Sequence, residues 1–301
     1  MESIDKIAVL FGGSSGEREV SLERGKRVYD AIIALGYDCD KFDINDIKDI
    51  NVLRNFDFIF IALHGEEGES GALQKQLETI GIPFTGSNSE SCSYSWNKSI
   101  SKDLIRKNGI KTPDSIQINN PLNFNRSFKD IPVDHFFIKP SMDGSSVNIF
   151  EIKDENEYLK TLQQLSSLKG PFILEESIKH KEYTVTIIWD FVCPPIEIKT
   201  TNSFYDYESK YLSDDTDLVE AQYSNEWIDK IKNFARDSYE ALKCSGWARV
   251  DILEDEYGDL YFLELNSSPG MTSHSCVPTS GEFIGLSYNQ VVQKIINASI
   301  D

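Results

Sequence analysis

The stretch Trp247-Ala-Arg249-Val-Asp251, followed by Tyr261-Phe-Leu-Glu264-Leu-Asn266-Ser-Ser-Pro-Gly270, places chemically able side chains at every second residue. Side chains in a strand alternate between faces, so Arg249 shares a face with Asp251, and Glu264 shares a face of the next strand with Asn266. The intervening aromatic and aliphatic residues favour strands, and Tyr257-Gly258-Asp259 supplies turn chemistry between them. Oxygens of Asp251, Glu264 and Asn266 suit a hard cation such as Mg²⁺, which takes few protein groups and completes its shell with nucleotide phosphates. Arg249 beside them is placed to stabilise charge on a transferring phosphoryl group or an oxyanion. The same residues also read as a solvated acidic hairpin with a surface arginine. The polar loop 266–270 favours the first reading, because sites are built on loops held by rigid elements.

A second cluster has the chemistry of an anion site. Lys139 closes an apolar run, 136–139, and is followed by the loop Pro140-Ser-Met-Asp-Gly144-Ser145-Ser146. Glycine lets backbone N–H groups approach phosphate oxygens. A lysine at a strand end before a turn is equally an ordinary surface feature. The chain lacks the Walker pattern, and Gly12-Gly-Ser-Ser-Gly16 does not match the dinucleotide fingerprint G-x-G-x-x-G.

The elements that must carry these residues differ along the chain. In the first third, strands at 7–11 and 58–63 alternate with helices from Ser21, read as an N-cap, to Leu35, and from 71 to 80. Gly36 and Gly81 stand where helices end. This alternation predicts a parallel sheet covered on both faces, with ligands bound beyond its carboxyl ends, at 12–19 and 64–71. A helix carrying Lys98 ends near Asn108-Gly109 and precedes a polar stretch, 113–134. The following pattern of strands at 136–139 and 147–152, a helix near 155–166, and strands at 172–175 and 182–189 predicts an antiparallel α+β unit, with 182–189 half-buried. Residues 200–222 are polar and aromatic without periodicity and read as a long loop, a length usually kept for function.

With 301 residues the chain has room for two or three domains. Its 30 basic and 49 acidic residues give a formal charge of -19, which argues against a general nucleic-acid or anionic-membrane binder. Five scattered cysteines without a C-x-x-C pair argue against disulfides and zinc and point to a reducing cytoplasm. No apolar run approaches about 20 residues, so neither a membrane span nor a signal peptide is expected.

Taken together, SGEREVSL (15–22), ALHGEEGESGALQ (62–74), IPFTGS (82–87), IKPSMDGSSV (138–147), FYDYESKYLSDDT (204–216), GWARVDI (246–252) and LELNSSPGMTSHS (263–275) resemble D-alanine–D-alanine ligase, of the ATP-grasp superfamily. The resemblance spans essentially the whole chain, in order. It implies three domains of α/β and α+β type: a parallel N-terminal one at 1–96, then a central one at 97–185 and a C-terminal one at 186–301 that clasp ATP, with a mobile loop at 201–220. It implies a cytoplasmic homodimer that binds ATP, D-alanine and two Mg²⁺ or Mn²⁺ ions, in peptidoglycan precursor synthesis.

Carried onto this sequence, the resemblance makes Asp251, Glu264 and Asn266 metal ligands, with Glu264 bridging. Lys98, Lys139 and Lys210 meet the nucleotide's phosphates, Ser146 also binds ATP, and Glu175, Glu176 and Ile178 meet its adenine. Glu182 meets the ribose, with Phe204 and Leu263 as apolar walls. Arg249 and the Gly270 N–H stabilise the phosphoryl group and the tetrahedral oxyanion. Glu17, Ser145 and Tyr211 form a hydrogen-bonded trio that closes the loop, excluding water from an acylphosphate. His64 and Glu17 lie at the first D-alanine, and Ser275 and Cys276 at the second. Three positions depart from the family pattern: Asn97 replaces a common Asp, Glu176 a common Lys, and Cys276 an apolar residue, which bears on acceptor preference. A D-alanine–D-lactate ligase and a non-catalytic ATP-grasp binding module are the competing readings, and the intact metal trio argues against the second.

Overall fold

The computed structural model describes residues 4–124, 126–133, 135–144, 148–168, 170–200 and 216–300. The first sheet is parallel, with β1 (Lys6–Phe11) between β2 (Asp38–Asp43) and β3 (Phe58–Ile61). The central four residues of β1 and all four of β3 are buried, as expected of strands covered on both faces. Asp-Cys-Asp-Lys-Phe-Asp of β2 was not legible as a strand. It is an edge with Cys39 alone buried, so it carries no apolar period.

Helix α1 (Arg18–Ala34) starts one turn earlier than its sequence predicts, and Ser21 lies inside it instead of capping it. The reason is tertiary. The Ser21 hydroxyl accepts from the Gly12 N–H at 2.9 Å and donates to the Ala62 carbonyl at 2.9 Å, joining the loops after β1 and β3. Four further helices follow: α2 (Glu66–Glu69), α3 (Ala72–Ile80), α4 (Ser89–Trp96) and α5 (Lys98–Lys107). The Asn97 side chain caps α5 by accepting from the Ser99 and Ile100 N–H groups, the usual role of Asn at a helix start.

The second sheet is antiparallel, formed by β4 (Ser115–Ile118), β5 (Phe136–Pro140), β6 (Phe150–Ile152) and β7 (Phe172–Glu176), in the order β4-β7-β5-β6. Helix α6 (Glu155–Leu165) packs on it through Tyr158 and Leu165. Two expectations are corrected: β4 interrupts the polar stretch 113–134, and the strand expected at 147–152 is confined to Phe150–Ile152.

The third sheet runs β11-β10-β8-β12-β13, with β9 (Phe191–Val192) hairpinned onto β8. Its strands are β8 (Lys181–Ile188), β10 (Ile196–Thr200), β11 (Thr216–Glu220), β12 (Trp247–Glu254) and β13 (Leu260–Asn266). The long loop predicted over 200–222 is therefore shorter: its C-terminal part is a strand antiparallel to β10, and 201–215 lie outside the described residues. β8 is not half-buried either. Tyr183, Val185 and Ile187 join the core under α7 (Asn225–Ala241), while Thr184 and Thr186 are buried on the opposite face.

Helices α8 (Cys276–Glu282) and α9 (Tyr288–Asn297) close the chain. Helix α8 touches β8 and β11 of the sheet it follows, and α9 lies against α8 and α1. Val277, Val291, Val292, Ile295 and Ile296 share one core with Ile7, Val9, Phe58 and Phe60 of the first sheet, and Trp247 of β12 joins them. This fastens the loop after β13 against the loops after β1 and β3.

Candidate active site

The β12–β13 hairpin pairs Arg249 with Asn266 and Asp251 with Glu264, which sets the four side chains side by side. The buried Asp251 carboxylate is held from three sides. Arg249 grips it bidentately at 2.9 and 2.8 Å, Thr184 Oγ1 donates to Oδ1 at 2.6 Å, and Asn266 Nδ2 donates to Oδ2 at 3.0 Å. The register slips between Asp251 and Ile252, so that Ile252 pairs with Phe262. This bulge places an extra residue on β13. Leu263 and Glu264, neighbours that strict alternation would send to opposite faces, consequently both line one cleft.

That cleft, about 1010 Å³, lies between the second and third sheets. Its walls include Lys98, Lys139, Glu175, Glu176, Ile178, Glu182, Asp251, Leu263 and Glu264. The size suits a drug- or cofactor-sized ligand. Lys98 Nζ donates to the Asp143 carbonyl at 2.7 Å and lies 3.5 Å from Glu264 Oε2. Lys139 pairs with Glu175 Oε1, and Lys102 lies 2.6 Å from Glu175 Oε2. Burial works to raise the Glu175 carboxyl, but the two lysines outweigh it and hold the group below its ordinary value.

A narrower recess, about 40 Å³, adjoins the cleft and shares Gly144 and Glu264 with it. It is lined by Glu17, His64, Glu69, Arg249, Asn266, Gly270, Ser275 and Cys276. Gly270 has no room for a side chain, since a Cβ there would lie 2.6 Å from Ser275 Oγ. Ser275 Oγ in turn accepts from the Thr272 N–H at 3.0 Å. Burial lowers the His64 imidazole well below its usual value, and Arg24 and Arg249 push the same way, so the ring is neutral. Desolvation, then the charge of Glu17, pushes the Glu69 carboxyl up to about 8. Glu17 Oε2 faces Gly65 and Gly144, where Cβ atoms would lie 3.0 and 3.3 Å away. It thus sits beside the loop that continues into Ser145.

The geometry brings together Glu17, His64, Arg249, Gly270, Ser275, Cys276 and the trio Asp251, Glu264 and Asn266 around the recess and its junction with the cleft. The expected ATP residues Lys98, Lys139, Glu175, Glu176, Ile178, Glu182 and Leu263 line the cleft itself. Ser145, Ser146, Phe204, Lys210 and Tyr211 lie outside the described residues.

Sequence reasoning missed Arg24, Lys102, Thr184 and Glu69. Arg24 is fully buried beneath the recess. It donates to the carbonyls of Ile61, Leu63 and Ser268 and to Ser268 Oγ, and approaches His64 Nε2 at 3.4 Å. One signal was available: Arg24 lies on the buried stripe Ser21, Gly25, Val28 and Ile32 of α1, where a charge has no business without partners.

Among the described residues no cluster of three or more His, Cys, Asp or Glu side chains is poised for a metal. Two carboxylates and the Asn266 amide are nevertheless the oxygen donors a hard cation takes when phosphates complete its shell.

Two α+β units facing each other across a cleft of lysines and carboxylates, behind a parallel α/β unit, define the ATP-grasp class. The family model described as D-ala D-ala ligase C-terminus matches residues 122–297, and that described as D-ala D-ala ligase N-terminus matches 36–87. The D-alanine–D-alanine ligase of Haemophilus ducreyi is 35% identical over 305 residues, 98% of both chains. That of Marinomonas sp. is 36% identical, over 98% of this chain and 96% of its own. Among solved structures, the Bacillus anthracis D-alanine–D-alanine ligase complexed with ATP has a TM-score of 0.87 at 30% identity, covering 99% of this chain and 98% of that one. The VanG D-Ala:D-Ser ligase of Enterococcus faecalis has a TM-score of 0.85 at 28% identity, over 99% and 100%. The chain belongs to the D-alanine–D-alanine ligase family.

Proposed function

We propose that the protein joins two D-alanine molecules at the expense of ATP, forming D-alanyl-D-alanine, ADP and phosphate. The observation that carries this reading is the junction of the lysine-lined cleft with the narrow recess at Glu264 and Gly144, with Arg249 and Asp251 beside it. A carboxylate in the recess attacks the γ-phosphorus of ATP, and the bond to the β-phosphate oxygen breaks. The amine of a second D-alanine then adds to the acylphosphate carbonyl, the tetrahedral centre collapses, and phosphate leaves with the new amide formed and the amine's proton lost.

The residues' parts are read from the resemblance, together with the cleft and recess that the described ones line. Lys98 and Lys139 face the nucleotide's phosphates. Glu17 meets the first ammonium beside neutral His64, whose lack of charge avoids repelling it. Arg249 and the Gly270 N–H stand where negative charge develops. Ser275 holds the second carboxylate. The resemblance adds Ser145 and Tyr211, which would join Glu17 in closing the site, and Ser146, Lys210 and Phe204, which would bind ATP; these five lie outside the described residues. Asp251, Glu264 and Asn266 would hold two Mg²⁺ or Mn²⁺ ions, which supply charge neutralisation at the phosphates. We also read the protein as a cytoplasmic homodimer serving peptidoglycan precursor synthesis. Among the described residues no helix is long and apolar enough to cross a membrane.

The test is ADP release with D-alanine, L-alanine, D-lactate, D-serine or no addition, alongside mass detection of the product. Release that requires D-alanine, with the dipeptide accumulating, is expected. Turnover indifferent to D-alanine would defeat the reading, and a preference for D-serine or D-lactate as second substrate would move it to another acceptor, as Cys276 in the recess permits.

A further inference from the structure

Lys102 has no exposed side-chain surface, yet it carries a charge. Its Nζ lies 2.6 Å from Glu175 Oε2 and donates to Thr112 Oγ1 at 2.7 Å. Thr112 Oγ1 passes the contact on, donating to the Phe262 carbonyl at 2.7 Å, next to the bulge that aims Leu263 and Glu264. The other Glu175 oxygen holds Lys139, which lines the cleft. An ammonium in this position is costly, and an apolar residue would pack the same space without desolvating a charge.

Counting charges shows what Lys102 contributes. Lys102, Glu175 and Lys139 together carry one net positive charge at the wall of the cleft. Without Lys102, Glu175 and Lys139 form a neutral pair, and Lys139 is held back from any anion. We infer that Lys102 is a positioning residue for nucleotide binding: it neutralises Glu175 from behind, so that the charge of Lys139 is left for the phosphates. This rests on reading the cleft as the nucleotide site. The signal in the sequence is a lysine at the buried position between Ser101 and Ile105 of α5.

Burial pushes the Lys102 ammonium down to about 8, with Glu175 pulling it up and Lys139 and Arg106 pushing it further down. Among the described residues those three are the charged groups found to act on it, and deprotonation should therefore resemble its removal.

The experiment is direct ATP titration by calorimetry, without D-alanine, on the full chain. Lys102→Met should bind ATP about tenfold more weakly, the scale of one lost charge-assisted contact, while its KM for D-alanine stays near wild type. Lys102→Met/Glu175→Gln removes the opposing charges together and should bind ATP more tightly than Lys102→Met, short of wild type because Glu175 itself lines the cleft. Wild-type affinity should fall above pH 8, and that of Lys102→Arg should not. A single variant that binds as wild type, a double variant no better than the single, or a wild-type affinity that does not fall above pH 8 overturns the assignment, and the melting midpoints of both variants separate a lost charge from a disturbed fold. Should Lys102→Met not fold, the double variant and the pH comparison still decide. Wild type that binds ATP but ignores D-alanine defeats the ligase reading and leaves Lys102 standing. Wild type that does not bind ATP defeats both.

Discussion

Arg24→Met tests whether the recess is held from beneath. Methionine keeps the length of the stem and removes every donor. The hydrogen bonds to the carbonyls of Ile61, Leu63 and Ser268 and to Ser268 Oγ disappear, and with them the 3.4 Å contact to His64 Nε2. The Leu63 carbonyl keeps a donor in Ser268 Oγ at 3.0 Å, whereas among the described residues Arg24 is the donor recorded at the Ser268 carbonyl. One orphaned buried carbonyl plus the loss of charged contacts to the others amounts to about 2–4 kcal/mol. For a chain of 301 residues that lowers the melting midpoint by roughly 3–6 °C. The functional effect is directional. Ser268 and His64 line or support the recess and do not line the larger cleft, so KM for D-alanine should rise about five- to tenfold while ATP affinity holds. Scanning calorimetry and steady-state kinetics with each substrate varied separately make the test. A variant that melts with the wild type, or that weakens both substrates equally, would refute the reasoning.

Glu264→Gln should leave the circular dichroism unchanged and lower turnover by at least ~10²-fold, the scale of lost electrostatic stabilisation at a phosphoryl group; near-normal activity would make the hairpin a surface feature. Thr184→Val deletes the 2.6 Å contact to Asp251 Oδ1 and should raise the Mg²⁺ concentration for half-maximal activity about tenfold, with unchanged metal dependence counting against the caged-carboxylate geometry. The neutral His64 gives a pH signature. Its folded value is depressed, so below its ordinary 6.5 the unfolded chain binds more protons and stability falls with acidification, at most about 1.4 kcal/mol per pH unit. Denaturant unfolding at pH 7.5 and 5.5 should show a smaller loss for His64→Asn than for wild type, and equal losses would show that His64 is protonated when folded.

Much of this molecule was legible in its residues because the relevant physics is local. Alternation along 247–266 determined that Arg249 shares a face with Asp251, and Glu264 with Asn266. The turn at Gly258, with φ +81°, is one that glycine adopts freely. Apolar runs at 7–11 and 58–63 announced a parallel sheet. What remained hidden depends on contacts between distant segments. A lysine or arginine in a helix looks the same at a surface as in a core, so Lys102 and Arg24 acquired their roles only when β7, β3 and the loop after β13 closed around them. Ser21 reads as a cap until Gly12 and Ala62 claim its hydroxyl. Strand β11 has no apolar period of its own and exists because β10 offers it a free edge. Leu263 and Glu264 face one cleft only because β12 and β13 slip register. The last two helices join two units: α8 lies on β8 and β11, while Val277 and the apolar stripe of α9 complete the core of the first sheet. Local periodicity determined which residues could act; burial and charge pairing across the chain decided which of them do so together.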